Sequence, residues 1–335
     1  MARVIGLMFL GALLACALLE ALFRILPVST STSMDYYSDP HILSYEPHHS
    51  FLAAAGWNLE HPERIRANNA GFVASRDFVS DPNAVALIGD SFVEASMLDA
   101  PQRLESRIEH ELGGRPVYAL GAPGSSLLDY AERIRLSATR YSIRDFVIII
   151  EEGDVLQAIC GSGQVHGRCY DERSGTVTYF RQPEAGTLKR IFRHSALAQY
   201  LTSQLKLDIG SLLSPAKALA RTPQAPPVSP ESARELATIV AAFFSEVAKY
   251  EPRHLVLVLE DRTVSGARRS QLQQLGRDLL SDKGRAAGAV VVDTGPLFRG
   301  FIDRTGLSVA VSPRDHHWNG AATERVAGSV AEALR

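Results

Sequence analysis

The chain opens on a nearly unbroken apolar run from Val4 to Leu19, which follows Met1-Ala2-Arg3. The run resumes after Glu20 as Ala21-Leu22-Phe23 and after Arg24 as Ile25-Leu26. From about residue 84 the pattern changes. Short, wholly apolar, β-branched runs alternate with longer stretches of helical period. The short runs predict strands at Ala84–Ile88, Val117–Leu120, Phe146–Ile150, His254–Leu259 and Ala289–Val292. The longer ones predict helices at Ala100–Leu112, Ser126–Thr139, Ser232–Tyr250, Ser270–Lys283 and Gly320–Leu334. Strands that are apolar throughout suit a sheet covered on both faces. Their alternation with helices predicts an α/β doubly wound parallel sheet, whose functional groups gather beyond the carboxyl ends of the strands.

Two regions break this rhythm. Residues 27 to about 80 hold His, Pro, Asn and Tyr with little periodicity. Residues 151 to about 230 contain a Gly-rich loop between two cysteines, a hairpin pattern around Asp171–Phe180, a helix-like stretch at His194–Leu213 and a proline-rich run from Pro215 to Pro230. The expected layout is a membrane anchor over 1–28, a connector and N-terminal extension over 29–80, and one α/β domain over 81–335 with an insertion at about 155–230.

The first run is about as long as a bilayer-spanning helix requires if Glu20 and Arg24 lie near one interface, where four-residue spacing also lets them pair. A cleaved signal peptide would have a shorter core and a small-x-small site. A lipoprotein site at Leu13-Leu14-Ala15-Cys16 would be followed by polar residues, whereas the chain stays apolar. An uncleaved signal anchor fits best. The expectation is a single-pass inner-membrane protein with its body in the periplasm or otherwise outside the cytoplasm. Arg3 favours a cytoplasmic N-terminus, and Arg24 on the far side blunts that reading. Outside the cytoplasm, Cys160 and Cys169 can close a small disulfide loop; the alternative is two unpaired thiols.

The formal net charge is -2 and no long run of Lys or Arg occurs, so a phosphate-neutralising face is absent and nucleic acid is not an expected partner. Neither Cys-x-x-Cys nor His-Glu-x-x-His spacing occurs, so no metal site and no cofactor are expected.

Two segments carry candidate chemistry. In Ala84-Val-Ala-Leu-Ile-Gly-Asp-Ser91 an apolar strand runs straight into Gly89-Asp90-Ser91. That places a serine hydroxyl at a strand end, where it needs a base to become nucleophilic. In Ser312-Pro-Arg-Asp315-His316-His317-Trp318-Asn319-Gly320, just before the last helix, His317 is the expected base and Asp315 the acid that orients it; His316 is the rival base. Asp90 is expected to structure its turn, Trp318 to be core and Asn319 to cap the last helix. The adjacent Glu151 and Glu152 would face opposite ways on a strand, against a paired-carboxylate glycosidase.

These blocks resemble the SGNH/GDSL hydrolase superfamily, especially its bacterial membrane-anchored members with esterase or O-acyltransferase activity. Asn69-Ala-Gly71-Phe72 resembles the lead-in. Gly89-Asp90-Ser91 resembles the nucleophile block, and Tyr118-Ala119-Leu120-Gly121-Ala-Pro-Gly124 the second block. Glu151-Glu152-Gly153-Asp154 occupies the third block. Arg193-His194-Ser195-Ala196-Leu197 resembles a helix entry, and Asp315-His316-His317-Trp318-Asn319 the last block. The resemblance implies a flavodoxin-like five-stranded sheet with helices on both faces. It also implies a Ser91–His317–Asp315 triad and an oxyanion hole from the N–H groups of Ser91, Gly121 and Gly153. Gly153 stands where the family's third block carries an oxyanion-donating Asn, and Gln157 is a further residue that can reach in. Ala119 replaces a common Asn, and Val73 stands where an Arg is usual.

The expected function is therefore acyl-serine chemistry on a small ester or an O-acetylated cell-envelope or secreted glycan. With water as acceptor the enzyme is an esterase. With a sugar hydroxyl it is an O-acetyltransferase, which would call for a membrane-bound acyl-donor partner. A non-catalytic glycan-binding or assembly protein on the same scaffold is the reading from another class.

Overall fold

The computed structural model describes residues 2–30, 34–162, 167–181, 186–205, 207, 228–313 and 315–335. The chain divides into two compact units whose segments interleave: Met1–Ser33, Ser50–Arg66 and Pro183–Gln224 form one, and Met34–His49, Ala67–Gln182 and Ala225–Arg335 the other. The expected connector over 29–80 thus belongs partly to each unit. Ala70, Phe72 and Phe78 lie in the core of the larger one.

The smaller unit begins with α1 (Ala2–Ile25). Its stretch Arg3–Ile25 is long and apolar enough to cross a membrane and is unburied within the protein. Glu20 pairs with Arg24 at 2.8 Å, as the four-residue spacing predicts. The same carboxylate also accepts hydrogen bonds from the Ser195 hydroxyl (2.8 Å) and from the N–H groups of Ala196 (3.1 Å) and Leu197 (2.9 Å). It therefore caps the helix Ala196–Gln199 at the end where backbone donors lack intrahelical partners. Phe23 stacks on Tyr200, with centroids 4.1 Å apart. The Gln204 amide donates to Ala54 O (2.7 Å) and Gly56 O (2.9 Å) of the hairpin Ser50–Ala55/Glu60–Arg66. The helix expected over His194–Leu213 is present as Ala196–Gln199 followed by a wider π turn, Tyr200–Gln204. Its remainder and most of the proline-rich run lie outside the described residues.

The larger unit is built on five strands: β1 (Val85–Gly89), β2 (Val117–Gly121), β3 (Asp145–Ile150), β4 (His254–Leu259) and β5 (Val290–Asp293). They form one sheet in the order β5-β4-β3-β1-β2, and every pairing is parallel. Its helices are α2 (Ser91–Glu94), α3 (Leu104–Glu111), α4 (Leu127–Arg140), α5 (Asp154–Gln157), α6 (Pro230–Ala248), α7 (Gln271–Ala286), α8 (Thr294–Thr305) and α9 (Gly320–Ala333).

Because side chains alternate along a strand, one chain feeds two cores. Ala86, Ile88, Tyr118, Leu120 and Ile148 face the layer of α4, α6 and α7. Val85, Leu87, Val117, Val147 and Val256 face α3, α8 and α9. This is the doubly wound sheet that the apolar runs predict. Helix α8 was not expected, because Gly295, Pro296 and Gly300 weaken its pattern. It forms because proline is tolerated in a first turn, Asp293 caps it through Gly295 N–H (2.8 Å), and Gly306 ends it at φ 69°.

Candidate active site

At the carboxyl end of β1 the chain turns through Asp90 into α2. The Asp90 carboxylate accepts the Phe92 N–H at 3.0 Å and caps the helix. Gly89 is glycine because a Cβ there would crowd the Val93 side chain and sit 3.2 Å from Ile149 O. Its carbonyl is held by the fully buried Arg133, whose other nitrogen donates to Ser125 Oγ (2.7 Å). Ser91 thereby begins α2, at a position whose backbone N–H has no acceptor within the helix.

The opposing residues come from a hairpin, β6 (Ala310–Ser312) with β7 (Asp315–Trp318). Alternation along β7 separates the two histidines: His316 is exposed, while His317 is half-buried on the other side. His317 Nε2 lies 2.8 Å from Ser91 Oγ, and its Nδ1 lies 2.5 Å from Asp315 Oδ1. The same Asp315 oxygen accepts the His317 N–H at 3.2 Å, which fixes carboxylate and ring together. The His317 ring packs 4.9 Å from Phe92. Trp318, buried beneath, makes edge contacts with Phe92 and Phe298. Asn319 caps α9 through the Ala321 and Ala322 N–H groups.

The carboxyl ends of the neighbouring strands gather acids. Asp90, Glu151, Asp154 and Glu260 are all buried. Burial pushes the Glu260 carboxyl up to about 8, and burial likewise raises Asp90, Glu151 and Asp154. Arg262 is the shared counter-charge, 2.9 Å from Glu151 and 3.2 Å from Glu260, and its guanidinium lies over the Phe92 ring. Arg269 holds Glu152 at 2.6 Å. Asp154 accepts the Glu151 N–H (2.7 Å) and the Tyr130 hydroxyl (2.9 Å).

Ser91, His317 and Asp315 are thus brought together, and His316 is not. The two expected glycine donors stand in different settings. The Gly153 N–H donates to the Glu151 carboxylate at 3.0 Å, so it is engaged within the protein instead of standing open to a ligand. Gly121 is glycine because α2 passes over it: a Cβ would collide with the Glu94 N–H and lie 2.8 Å from the Val93 carbonyl carbon. Ala122 N–H donates back to Gly89 O at 3.3 Å, so by ladder alternation the Gly121 N–H points away from β1, past the sheet edge. The turn continues to the half-buried Gly124 at φ 77°.

Arg133, Glu260 and Arg262 went unnoticed in the sequence. Arg133 alone carried a signal, a cation three residues from Tyr130 on the apolar face of α4. Cys160 and Cys169 are joined by a disulfide. Cys169 is fully buried, on the first strand of the hairpin Arg168–Asp171/Thr176–Tyr179.

No protein-family model matches the sequence, and no curated protein matches it. Among solved structures, the chain is similar to a member of the lipolytic protein G-D-S-L family from Veillonella parvula. That pair shares 13% identity at a TM-score of 0.40, over 75% of this chain and 97% of that one. It is also similar to LAE5, an alpha/beta hydrolase enzyme from the metagenome of Lake Arreo, at 14% identity and a TM-score of 0.41, over 77% and 98%. A third is the lipase/acylhydrolase from Enterococcus faecalis, at 12% identity and 0.38, over 75% and 95%.

Proposed function

We propose that the protein is a serine ester hydrolase working through an acyl-serine intermediate. The observation that carries this reading is the continuous chain from Ser91 Oγ through His317 to Asp315, at 2.8 and 2.5 Å. In the proposed reaction His317 Nε2 takes the Ser91 proton as Oγ attacks the acyl carbonyl. Asp315 fixes the ring by its Nδ1–H and stabilises the imidazolium. The imidazolium then protonates the departing alcohol. Water, deprotonated by the same nitrogen, releases the acid and restores Ser91. The Ser91 N–H and the turn from Gly121 to Gly124 would hold the oxyanion.

Within this reading the substrate class is an O-acetyl ester, of which an acetylated envelope or secreted glycan is the version implied by the resemblance. The apolar α1 and the disulfide support a body held at a membrane outside the cytoplasm. The test is p-nitrophenyl acetate hydrolysis by the full chain in detergent. Ser91→Ala should lower turnover at least about 1,000-fold; turnover equal to that of the parent would remove Ser91 from its role. Acetyl release from an acetylated glycan, measured with and without an acceptor sugar, then separates hydrolysis from transfer.

A further inference from the structure

The hole described so far has donors on the β1 and β2 side of Ser91. On the β3 side the nearest backbone donor, the Gly153 N–H, is turned onto Glu151. The space directly off the Gly153 Cα is not empty. A Cβ placed there would lie 2.5 Å from Gln157 Nε2, 2.8 Å from Glu151 Oε2 and 3.2 Å from Gln157 Cδ. Thus a carboxamide carried by α5, one helical turn further along, together with the Glu151 carboxylate fills the volume that a side chain at position 153 would occupy.

The amide is also held in place. Gln157 Nε2 lies 3.3 Å from Glu151 Oε2, and Glu151 is anchored on Arg262 at 2.9 Å. That contact engages one N–H of the amide and leaves its second to be donated. Gln157 itself is only partly buried. The strand register sets the position of Glu151, the residue that the Gln157 amide touches, relative to the nucleophile. Ile148 pairs with Ile88, so the residues just past β3 lie beside Asp90 and Ser91, about 5 Å away across the sheet.

We infer that the Gln157 carboxamide is a catalytic oxyanion donor, reaching from α5 into the place that Gly153 leaves open. A tetrahedral oxyanion accepts up to three hydrogen bonds, and Gln157 Nε2–H supplies the one from the β3 side. Gly153 is then required by space: a side chain there and the Gln157 amide exclude one another. The backbone at 153 imposes no such requirement, since φ -88° and ψ -17° suit any residue.

This inference rests on the acyl-serine reading, and the experiment separates the two. Full chain in detergent is assayed with p-nitrophenyl acetate, and Ser91 is labelled with a fluorophosphonate. The parent, Ser91→Ala, Gln157→Ala and the double variant Gly153→Asn/Gln157→Ala are compared. Gln157→Ala should lower kcat about 100-fold with KM moved less than about 3-fold, since the donor acts on charge that develops in the transition state. The double variant should regain at least about 10-fold by returning a carboxamide to the same volume from position 153. If Ser91→Ala is inactive while Gln157→Ala keeps kcat within about 3-fold of the parent, the inference fails and the nucleophile stands. A Gln157→Ala loss that falls mainly on KM, or that the double variant leaves unrepaired, makes Gln157 a packing residue and also overturns it. A parent that neither turns over nor labels at Ser91 sinks the nucleophile reading, and this inference with it.

Discussion

At the start of β3, Asp145 is wholly buried and meets Arg115, Arg253 and His254; just past the other end of the same strand, Glu151 and Asp154 share their surroundings with Asp90, Glu260 and two arginines, Arg262 and the buried Arg133. The first carboxylate has two arginines and a histidine as neighbours and sits at about 2, below its usual range, because their hydrogen bonds outweigh its burial. The acids at the far end are pushed upward because burial and their mutual repulsion outweigh what Arg262 returns to Glu151 and Glu260. One end of the sheet is electrostatically closed. The other crowds buried acids with raised values beside the serine, and perturbed groups of that kind gather where chemistry is done. The contrast separates residues that hold the fold from residues that use it.

That separation can be broken experimentally. Asp315→Asn should cost about 10,000-fold in kcat, because the imidazole loses the partner that fixes its tautomer, while the melting temperature stays within a few degrees of the parent. A large loss of stability instead would make Asp315 part of the fold. Asp145→Asn should do the reverse. It should lower unfolding stability by about 3 kcal/mol, at the lower end for a broken buried pair because Arg253 is half exposed, with kcat unchanged. The folded-state value of Asp145 is depressed, so its contribution is present above about 4 and is lost as pH falls toward about 2; denaturant titrations of parent and variant should converge there.

Opening the disulfide by Cys160→Ser should cost about 2.5 kcal/mol from loop closure over a separation of 9, and should leave the parent's dependence on reductant behind. A further effect, read as a slope of stability against pH, is expected at Glu260. Its folded-state value is raised, so the parent loses stability as pH climbs from about 4.5 through about 8, and Glu260→Gln should flatten that decline. A parallel decline in the two proteins would place the acid load elsewhere.

Much of the larger unit was legible because each central strand is apolar from end to end and each main helix repeats on one face. Ser91, Asp315 and His317 were legible because each stands next to a strong local pattern, a strand end or a helix cap. What escaped depends on distance along the chain. Glu152 takes the Arg262 N–H from 110 positions away, Arg133 reaches the carbonyl of Gly89, and Glu20 meets Ser195. No local period encodes such pairs. The setting of Gly153 escaped for a related reason. A glycine read alone offers only its N–H, and that group turned to Glu151, while the neighbour one turn later filled the space.

The Glu20 cap bears on the fate of the first helix. An export leader is discardable because nothing in the mature protein depends on it. Here the leader-like helix ends in a carboxylate that serves three donors of a segment some 175 residues downstream. Removing it would strip the helix at Ser195 of its acceptors and Tyr200 of its stacking partner. In this architecture α1 is a keystone of the smaller unit, and a processing site placed after Phe23 would trade maturation for partial unfolding.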